Sequence, residues 1–313
     1  MQAQTLHIET PLFESRALTI AAGRTVWLKL ETAQPPGSFK IRGIGLACQE
    51  YARRGARRFI SSSGGNAGIA VAFAGRHLSI PVVVVVPRTT TENSKALIRQ
   101  EGAEVIVHGA SWHEANALAL SMVEDSDAFL HPFDDPLIWQ GHASMIDEVV
   151  ASGVRPEAIV LSVGGGGLLS GVVEGLRRND WSGVPVIAVE TVGADAFAQS
   201  VRAGYRVEMP AITSIATCLG ASQVCEQAFT YSKTHPVHSV VVTDQAALAA
   251  CQRFLADHRV VVEPACGASL AVIYDQAPEL EEFKSVLVVV CGGVAASVEQ
   301  FQAWSNQLAN ELA

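Results

Sequence analysis

The sequence predicts an α/β protein whose parallel-rich sheets are flanked by helices. Short apolar runs rich in valine and isoleucine, of which Ile80–Pro87 is the longest, recur along the chain. Runs of this kind are typical of strands in a parallel sheet that is covered on both faces. They alternate with segments of helical periodicity, and this alternation favours parallel strands joined by right-handed crossovers.

The predicted elements follow one another as strand and helix along most of the chain. The last helix of the series shows the helical period, since Leu168, Val172 and Leu176 recur every four residues and form one apolar face. Strands are predicted at residues 26–30, 58–61, 82–86, 104–107, 159–163, 186–189, 239–242 and 285–290, and helices at 42–53, 66–77, 91–100 and from Leu168 onward.

Size and charge exclude several classes of protein. With 313 residues, the chain can bury the cores of two domains. Although 49% of its residues are hydrophobic, the longest apolar run is far shorter than the roughly 20 residues that a membrane-spanning helix needs. The net charge of −9, from 22 basic and 31 acidic residues, makes nucleic acids and anionic membranes poor partners.

The N-terminus and the cysteines predict a cytoplasmic protein. Residues 1–9 have neither the basic nor the apolar segment of a signal peptide. The six cysteines form no C-x-x-C pair, which is typical of free thiols in a reducing compartment. The nine histidines form no H-E-x-x-H or comparable pattern, and no zinc site is predicted.

Four consecutive glycines, Gly164, Gly165, Gly166 and Gly167, stand between a predicted strand and a predicted helix. Without Cβ atoms, their backbone N–H groups can wrap an anion, and the helix N-terminus adds a positive partial charge. The run lacks the Gly-Lys-Ser/Thr ending of a nucleotide-binding loop and is not G-x-G-x-x-G, so a monophosphate fits better than a nucleotide. The alternative is a tight turn without a ligand, which rarely requires four glycines in a row.

A second turn before a predicted helix, Ser63–Gly68, reads Ser-Gly-Gly-Asn-Ala-Gly. Serine and asparagine are favoured at helix N-termini, so an ordinary N-cap is one interpretation. The other is a second anion site, in which backbone N–H groups and the Ser63 hydroxyl hold a substrate carboxylate. Beside a phosphate-binding loop, the carboxylate interpretation is favoured.

Lys40 follows Phe39 in a predicted loop that opens onto a helix. Most lysines are solvated surface charges, and this remains one interpretation. Near a helix N-terminus and a phosphate, however, the amine loses its proton more readily, which suits Schiff-base chemistry. A lysine, a Ser/Gly/Asn loop, a glycine run and a final Val-Cys-Gly-Gly, in this order, are the parts of a pyridoxal-phosphate site.

These segments resemble the L-serine dehydratase/L-threonine deaminase family of fold-type-II pyridoxal-phosphate enzymes (the tryptophan synthase β-like group), especially its short animal-type members. The resemblance extends from about Thr10 to Gly293. It is carried by Pro-Gly-Ser-Phe-Lys-Ile-Arg-Gly at 36–43, Ser-Gly-Gly-Asn-Ala-Gly at 63–68, Pro-Phe-Asp-Asp-Pro-Leu-Ile-Trp-Gln-Gly-His-Ala-Ser at 132–144, Ser-Val-Gly-Gly-Gly-Gly-Leu-Leu at 162–169, Val-Glu-Pro-Ala-Cys-Gly-Ala at 262–268 and Val-Cys-Gly-Gly at 290–293.

The resemblance implies a role for each site residue. Lys40 would join pyridoxal 5′-phosphate as a Schiff base and, once displaced by the substrate amine, abstract the Cα proton, while Phe39 would lie against one face of the pyridine ring. The remaining residues would bind the substrate carboxylate (Ser63, Gly64, Asn66 and Ala67), the cofactor phosphate (Gly164, Gly165, Gly166, Gly167 and Leu168), the 3′-oxygen (Asn66) and the pyridine nitrogen (Cys291).

The implied reaction is β-elimination from a small amino acid. A thiol such as Cys291, with an ordinary pKa of about 8.5, does not keep the pyridine nitrogen protonated as an aspartate does. A neutral ring is a weaker electron sink, which favours loss of the β-hydroxyl together with the α-proton. L-Serine would give pyruvate and ammonium, and L-threonine 2-oxobutyrate and ammonium. The proton donor to the leaving hydroxyl is, by hypothesis, the cofactor phosphate.

The resemblance also implies a site for a monovalent cation such as K+. Glu190 would supply a carboxylate, and Ala194, Leu219 and Ala221 would supply carbonyl oxygens. A serine of the family's pattern is Ala196 in this chain, which removes one ligand. The alternative is a structural Glu190 that pairs with a local arginine or lysine.

The family's architecture implies a small domain inserted in a large one. The small domain would comprise residues 36–131, and the large cofactor-binding domain residues 1–35 and 132–313, with the active site in the cleft between them. Only one terminal helix fits after Cys291, so no regulatory domain is expected. Because members of this family are commonly dimers, the resemblance implies a homodimer.

Other functions share some of these segments. A β-replacement transferase of the cysteine synthase kind shares the lysine, the asparagine loop and the glycine run, but it usually has Ser or Thr where Cys291 stands. A racemase needs a second proton donor opposite Lys40, which Gly64 cannot be. A protein that only stores or senses the cofactor would lack Lys40. Cys218, where animal enzymes place alanine, is expected to be an ordinary buried cysteine.

Overall fold

The computed structural model describes residues 5–311, so the first four and the last two residues of the predicted large domain lie outside the described part of the chain. The chain divides into two compact units. The small unit consists of the N-terminal stretch that ends at Ile8 together with residues 34–142, and the large unit consists of residues 9–33 and the chain from Ala143 onward. The predicted inserted segment, 36–131, falls within the small unit, and its assignment as a domain stays a prediction.

Ten strands and twelve helices make up most of the described residues. The strands are β1 (Leu12–Glu14), β2 (Thr25–Lys29), β3 (Arg58–Ser61), β4 (Val82–Val86), β5 (Glu104–Val107), β6 (Asp127–Phe129), β7 (Ala158–Ser162), β8 (Val186–Thr191), β9 (Val237–Val242) and β10 (Ser285–Val289). The helices are α1 (Arg16–Ala22), α2 (Lys40–Arg53), α3 (Asn66–Leu78), α4 (Glu92–Gln100), α5 (Trp112–Ser121), α6 (Pro136–Ala151), α7 (Gly167–Arg178), α8 (Ala196–Ala203), α9 (Glu226–Thr234), α10 (Asp244–His258), α11 (Pro264–Tyr274) and α12 (Val298–Glu311).

The small unit is built on a parallel four-stranded sheet with the order β5-β4-β3-β6. β4 is a run of five valines that are all buried, as expected for an inner strand with both faces covered. Ile60, Val83 and Val85 from the inner strands pack against Ala115 and Ala119 of α5. This sheet positions the loops that follow β3, β4 and β6.

The large unit is built on a six-stranded sheet with the order β1-β2-β10-β7-β8-β9. Every neighbouring pair is parallel except β1, which runs antiparallel to β2. β7 and β8 are buried over their whole length, and so is α11. A helix that is buried on every side has no polar face, and α11 is accordingly apolar all round.

The predicted alternation of strands and helices is confirmed. All eight predicted strands are present with ends that shift by at most two residues, and the four predicted helices begin within two residues of the expected position. The short strands β1 and β6 were not predicted, because three residues are too few to show a period. Seven helices were not predicted either: α1, α5, α6, α8, α9, α10 and α11. Of these, α11 is wholly buried and lacks the polar residues that reveal a helical period. Within residues 5–311, no helix combines the length and the apolar character that crossing a bilayer requires.

Candidate active site

Several of the predicted site residues follow strands whose carboxyl ends lie at one edge of each sheet. In the small unit, the turn that contains Ser63 follows β3, and the turn that contains Thr90 follows the neighbouring strand β4. In the large unit, Gly164–Gly167 follow β7, and Cys291 follows the neighbouring strand β10. The carboxyl edge of a parallel sheet is where open α/β folds bind their ligands. The Ser63 turn in the small unit and the glycine run and Cys291 in the large unit therefore lie at such an edge.

Lys40 is the first residue of α2, so it lies on the helix and not in the loop that the sequence predicted. Its amine donates a hydrogen bond of 2.6 Å to the carbonyl of Pro132, and its Nζ lies 5.2 Å from the centre of the Phe39 ring. Phe39 is buried and occupies the N-cap position, where its side chain offers no capping acceptor. The positive end of a helix disfavours a charged ammonium, which suits an amine that must react as a base or nucleophile.

The turn from β3 to α3 places Ser63, Gly64 and Gly65 half-buried ahead of the helix, and Asn66 and Ala67 buried in its first turn. The Gly65 N–H donates to the Ser63 hydroxyl at 3.4 Å. A glycine is required at position 68, because a Cβ there would lie 1.8 Å from the Ser63 carbonyl oxygen. The turn therefore packs tightly against the start of α3, with the helix N–H groups directed at the loop.

Gly64 lies against Thr90 from the neighbouring loop. A Cβ at position 64 would come within 2.6 Å of both the hydroxyl oxygen and the methyl carbon of Thr90. The Thr90 side chain thus fills the space that any other residue at position 64 would use. Sequence reasoning identified Gly64 but not Thr90, and no motif of the sequence connects the two.

In the turn from β7 to α7, Val163 is followed by glycines alone. Gly166 has a left-handed backbone with φ of 93°, and a Cβ at this position would lie 2.5 Å from the Cβ of Ala228. A Cβ at Gly164 would lie 3.0 Å from the Cα of Leu219. The first helical bond runs from the Ser170 N–H to the Gly166 carbonyl at 2.9 Å. The N–H groups between these two residues precede that bond and have no partner within the helix.

These residues fit a phosphate group. The glycines keep the turn free of side chains, and neighbouring segments already occupy the volume where a Cβ would go, so the backbone itself forms the surface of the loop. The N–H groups of the first turn, including that of the buried Leu168, carry the positive end of the α7 dipole. A phosphate is an anion that this combination of bare backbone and helix N-terminus can bind.

Cys291 is buried beside Cys266 in the large unit. A hydrogen bond with Cys266 and burial raise the pKa of the Cys291 thiol well above its ordinary value. The group therefore stays a neutral thiol at neutral pH and carries no charge toward its surroundings.

Cys218 differs from the prediction, because its side chain is exposed and not buried. It lies in a short 3-10 helix at 217–219, and its thiol contacts the carboxylate of Glu263 at 3.6 Å. Glu263 is buried at the N-cap of α11 and is part of the segment Val-Glu-Pro-Ala-Cys-Gly-Ala at 262–268. Glu263 was not among the predicted site residues, although it lies in a segment that carries the family resemblance.

Glu190 is fully buried near the end of β8. Its two carboxylate oxygens accept hydrogen bonds from the N–H groups of Phe197 and Ala198, at 2.8 and 2.7 Å, in the first turn of α8. Burial raises the pKa of Glu190 to about 8, and the two backbone bonds partly oppose that shift. In both of these hydrogen bonds, the partner of the Glu190 carboxylate is a backbone amide.

The predicted carbonyl ligands of the cation lie, like Glu190, in the large unit. Ala194 and Leu219 are buried and Ala221 is half-buried. The Leu219 carbonyl accepts a hydrogen bond of 2.8 Å from the Ala221 N–H. Within residues 5–311, no cluster of three or more His, Cys, Asp and Glu is arranged to hold a metal ion. A cation site of one carboxylate and several carbonyls is a different kind of site, and it stays a prediction.

His142, which was not among the predicted site residues, lies beside the N-terminal end of α2. Its Nδ1 accepts a hydrogen bond of 3.1 Å from the Gly43 N–H, and its ring centre lies 4.8 Å from that of Phe39. The signal available in the sequence was the Gly-His pair at 141–142 inside a quoted motif.

Comparisons with known proteins identify the family of the chain. A family model described as "Pyridoxal-phosphate dependent enzyme" matches residues 3–292. The chain is similar to human L-serine dehydratase/L-threonine deaminase, with 46% identity over 98% of this chain and 97% of the human protein. It is also similar to the mouse protein named serine dehydratase-like, with 47% identity over 98% of this chain and 96% of the mouse protein.

A solved structure extends the likeness to three dimensions. The fungal L-serine ammonia-lyase of Rhizomucor miehei superimposes with a TM-score of 0.92 at 36% identity, covering 97% of this chain and 99% of the fungal chain. The similarity is therefore continuous along both units and is not confined to the short motifs.

Proposed function

Because the chain belongs to the family of pyridoxal-phosphate-dependent enzymes, we propose that it is an ammonia-lyase that converts L-serine to pyruvate and ammonium and L-threonine to 2-oxobutyrate and ammonium. Its cofactor is pyridoxal 5′-phosphate, and its fold is the fold-type-II architecture of these enzymes. The observation that carries the proposal is the placement of Lys40 at the N-terminus of α2, in a chain whose similarity to L-serine dehydratases covers 98% of its length.

The large unit supplies most of the proposed cofactor contacts. The N–H groups of Gly164–Gly167 and Leu168 would hold the phosphate, and the Cys291 thiol would face the pyridine nitrogen. When bound, the cofactor supplies an aldehyde that bonds to amines and a ring that withdraws electrons from Cα. From the small unit, Phe39 would lie against the ring and the Asn66 side chain would hold the 3′-oxygen.

The small unit supplies the groups that act on the substrate. We assign the binding of the carboxylate to the turn of Ser63, Gly64, Asn66 and Ala67, whose N–H groups lead into α3. Lys40 is the base, and its Nζ takes the proton from Cα. The Pro132 carbonyl, which accepts the Nζ–H bond at 2.6 Å, orients the amine for that transfer.

The state of Cys291 favours elimination over competing reactions. A thiol whose pKa is raised stays neutral, so it places no negative charge beside the pyridine nitrogen and does not promote its protonation. Without that protonation, charge that builds up at Cα is stabilised less and is better discharged by expelling the β-hydroxyl in the same step. The same argument disfavours a racemase, for which Gly64 also provides no proton donor.

Three further assignments belong to the proposal. Glu190 and neighbouring carbonyls bind a monovalent cation such as K+, and cation binding favours the ionised carboxylate. The protein acts in the cytoplasm, a location supported by six free cysteines, five of which are buried. It works as a homodimer, as the resemblance predicts.

The proposal is tested by measuring 2-oxo acid release from L-serine and from L-threonine. We expect the wild-type protein to release pyruvate and 2-oxobutyrate, and Lys40→Ala to lose this activity by at least about 10³-fold because the base is removed. Lys95→Ala is the matched control, since Lys95 is a buried lysine of the same unit whose amine pairs with Glu92.

Two results contradict the proposal. One is the absence of 2-oxo acid from both substrates in a wild-type protein that shows the visible absorbance of the bound cofactor. The other is full activity in Lys40→Ala. Cysteine formation from O-acetylserine and sulfide, in place of oxo acid release, would assign the protein to the β-replacement transferases.

A further inference from the structure

The helix that begins with Lys40 is held along its length by one segment of the small unit. At its far end, the Tyr51 hydroxyl donates a hydrogen bond of 2.6 Å to the carboxylate of Asp135, the residue before α6. At its near end, the Gly43 N–H donates to His142 at 3.1 Å. α2 and the first turns of α6 therefore run antiparallel, and His142 lies beside the turn that carries Lys40.

The two helices touch backbone to backbone at this end. A Cβ at Gly43 would lie 2.5 Å from the Ile138 carbonyl oxygen and 2.7 Å from Cε1 of His142. A Cβ at Gly141 would lie 2.6 Å from the Cα of Gly43. Glycines at 43 and 141 let the imidazole reach the first turn of α2, so the hydrogen bond depends on the close approach.

The imidazole replaces a backbone hydrogen bond in the first turn of α2. In a regular α-helix the Gly43 N–H would donate to the carbonyl four residues earlier, that of Phe39. Here the Phe39 carbonyl accepts from the Arg42 N–H at 3.0 Å, a bond of the tighter i to i+3 kind. His142 Nδ1, from another helix, is the acceptor for the Gly43 N–H.

This bond fixes the tautomer of His142. Because Nδ1 accepts, the proton of the neutral ring lies on Nε2. The side chain is fully buried, and Nε2 has no hydrogen-bond partner among residues 5–311. Lys40 and Arg42 on α2 and His7 in the N-terminal stretch place positive charge near the ring. Together with burial, which is the largest cause, they lower the pKa of His142 well below its ordinary value.

A side chain at position 142 that only filled space in the core would not need to be a histidine. An apolar side chain of similar size would fill the volume without burying an unpaired N–H group, which is costly. The feature that only the histidine contributes is the acceptor at Nδ1, together with a flat ring that packs against Phe39 at a centre-to-centre distance of 4.8 Å.

We propose that His142 is a positioning residue, which through Nδ1 and its contact with Phe39 fixes the first turn of α2 and with it the amine of Lys40. The inference rests on the proposed function, because it concerns the geometry of the base in that reaction. His142 holds the turn from one side, while the Pro132 carbonyl holds the amine itself at 2.6 Å.

Three variants of the holoenzyme test the proposal by kinetics. His142→Leu removes the acceptor, and we expect kcat for L-serine to fall about 10- to 100-fold with KM nearly unchanged, because the base is displaced and the carboxylate loop is not. In His142→Asn the amide oxygen replaces Nδ1, and we expect kcat to return to within about threefold of wild type. The control is His235→Leu, which removes a buried histidine of the large unit whose Nε2 bonds to the Val184 carbonyl at 2.9 Å. We expect it to cost stability without lowering kcat.

A second measurement does not depend on activity. In the ¹⁵N spectrum of histidine-labelled holoenzyme, the resonances that disappear in His142→Asn belong to His142. We expect an unprotonated Nδ1 and a protonated Nε2 that do not change between pH 8 and pH 6. A protonated Nδ1 or an imidazolium at pH 6.5 would overturn the proposal, as would wild-type kcat in His142→Leu or an equal defect in His142→Asn. If the protein released no 2-oxo acid, the proposed function would fail, and the spectrum would still decide how His142 is held.

Discussion

The turn from β3 to α3 and the turn from β7 to α7 have the same plan, a strand that ends in a glycine-rich loop at a helix N-terminus, but they are held differently. In the large unit, Gly164 and Gly166 lie against the Cα of Leu219 and the Cβ of Ala228, which are fixed parts of neighbouring segments. In the small unit, Gly64 lies against the end of the Thr90 side chain. Gly164 and Gly166 are therefore confined by atoms that cannot move aside, and Gly64 by a side chain that can rotate.

This difference matches the two ligands that we assign to the turns. A resident phosphate group is best held by a rigid backbone surface, which requires no adjustment on binding. A substrate binds and dissociates in every catalytic cycle, and a turn that can adjust its conformation suits such a ligand. The comparison predicts that substitutions in the large-unit turn affect cofactor binding severely, and that those in the small-unit turn affect substrate binding moderately and reversibly.

The largest effect is expected for Gly166→Ala. An alanine with φ of 93° is strained by about 1–2 kcal/mol, and the contact of 2.5 Å with Ala228 adds about 1–3 kcal/mol of overpacking. We expect the Kd for pyridoxal phosphate, measured by absorbance titration, to rise by about 100-fold or more. Gly153→Ala is the matched control, because Gly153 has a φ of 79° with nothing within 4 Å of the added Cβ. Equal cofactor affinities in the two variants would contradict the account.

A smaller effect is expected for Gly64→Ala. The added methyl group meets the Thr90 hydroxyl and methyl at 2.6 Å, and we expect KM for L-serine to rise about tenfold while cofactor affinity is unchanged. Thr90→Ala removes both atoms, so the double variant is expected to recover most of the loss. A double-mutant cycle on KM measures this coupling. Additive effects of the two substitutions would show that Thr90 does not confine the turn.

The smallest effect concerns the pH dependence of stability near neutral pH, which we expect to arise from His142 in the small unit and not from Cys291 in the large unit. The pKa of His142 is lowered by burial, whereas in the unfolded chain it lies near 6.5, so acidification protonates the unfolded state first and stability falls as the pH drops. We expect the free energy of unfolding in urea to fall by about 0.8 kcal/mol more for wild type than for His142→Asn between pH 8 and pH 6. Cys291, whose pKa is raised, stays neutral throughout this range. Parallel pH dependences of the two proteins would show that His142 is protonated in the folded state.

The fold was largely predictable from the sequence, because buried parallel strands are continuous apolar runs. β4 is a run of five valines and β7 reads Ala-Ile-Val-Leu-Ser, and both were predicted to within one residue. The antiparallel β1 was missed because three half-exposed residues carry no such signal. The start of α2 was placed two residues late, because Phe39 is not a usual N-cap residue and the acceptor that completes the turn comes from His142.

Site residues that lie within a short sequence motif could be predicted. Residues that come together only through the fold could not. Glycines next to a helix start mark the proposed phosphate loop, and Lys40 lies within the motif Pro-Gly-Ser-Phe-Lys-Ile-Arg-Gly. Thr90 and His142 act through contacts with Gly64 and Gly43, and each pair is separated in the chain by a full element or more. Cys218 was expected to be buried, because cysteines usually are, yet its place in an exposed 3-10 turn follows from the path of the loop.

The pairing of β2 with β10 has a consequence for biosynthesis. These strands are neighbours in the sheet of the large unit although they come from opposite ends of the chain, at residues 25–29 and 285–289. During translation, β2 emerges early and must wait unpaired until nearly the whole chain has been made, whereas residues 34–142 emerge as one continuous stretch and can fold first. The part of the protein that carries Lys40 can therefore fold during synthesis before the sheet that precedes Gly164–Gly167 can close.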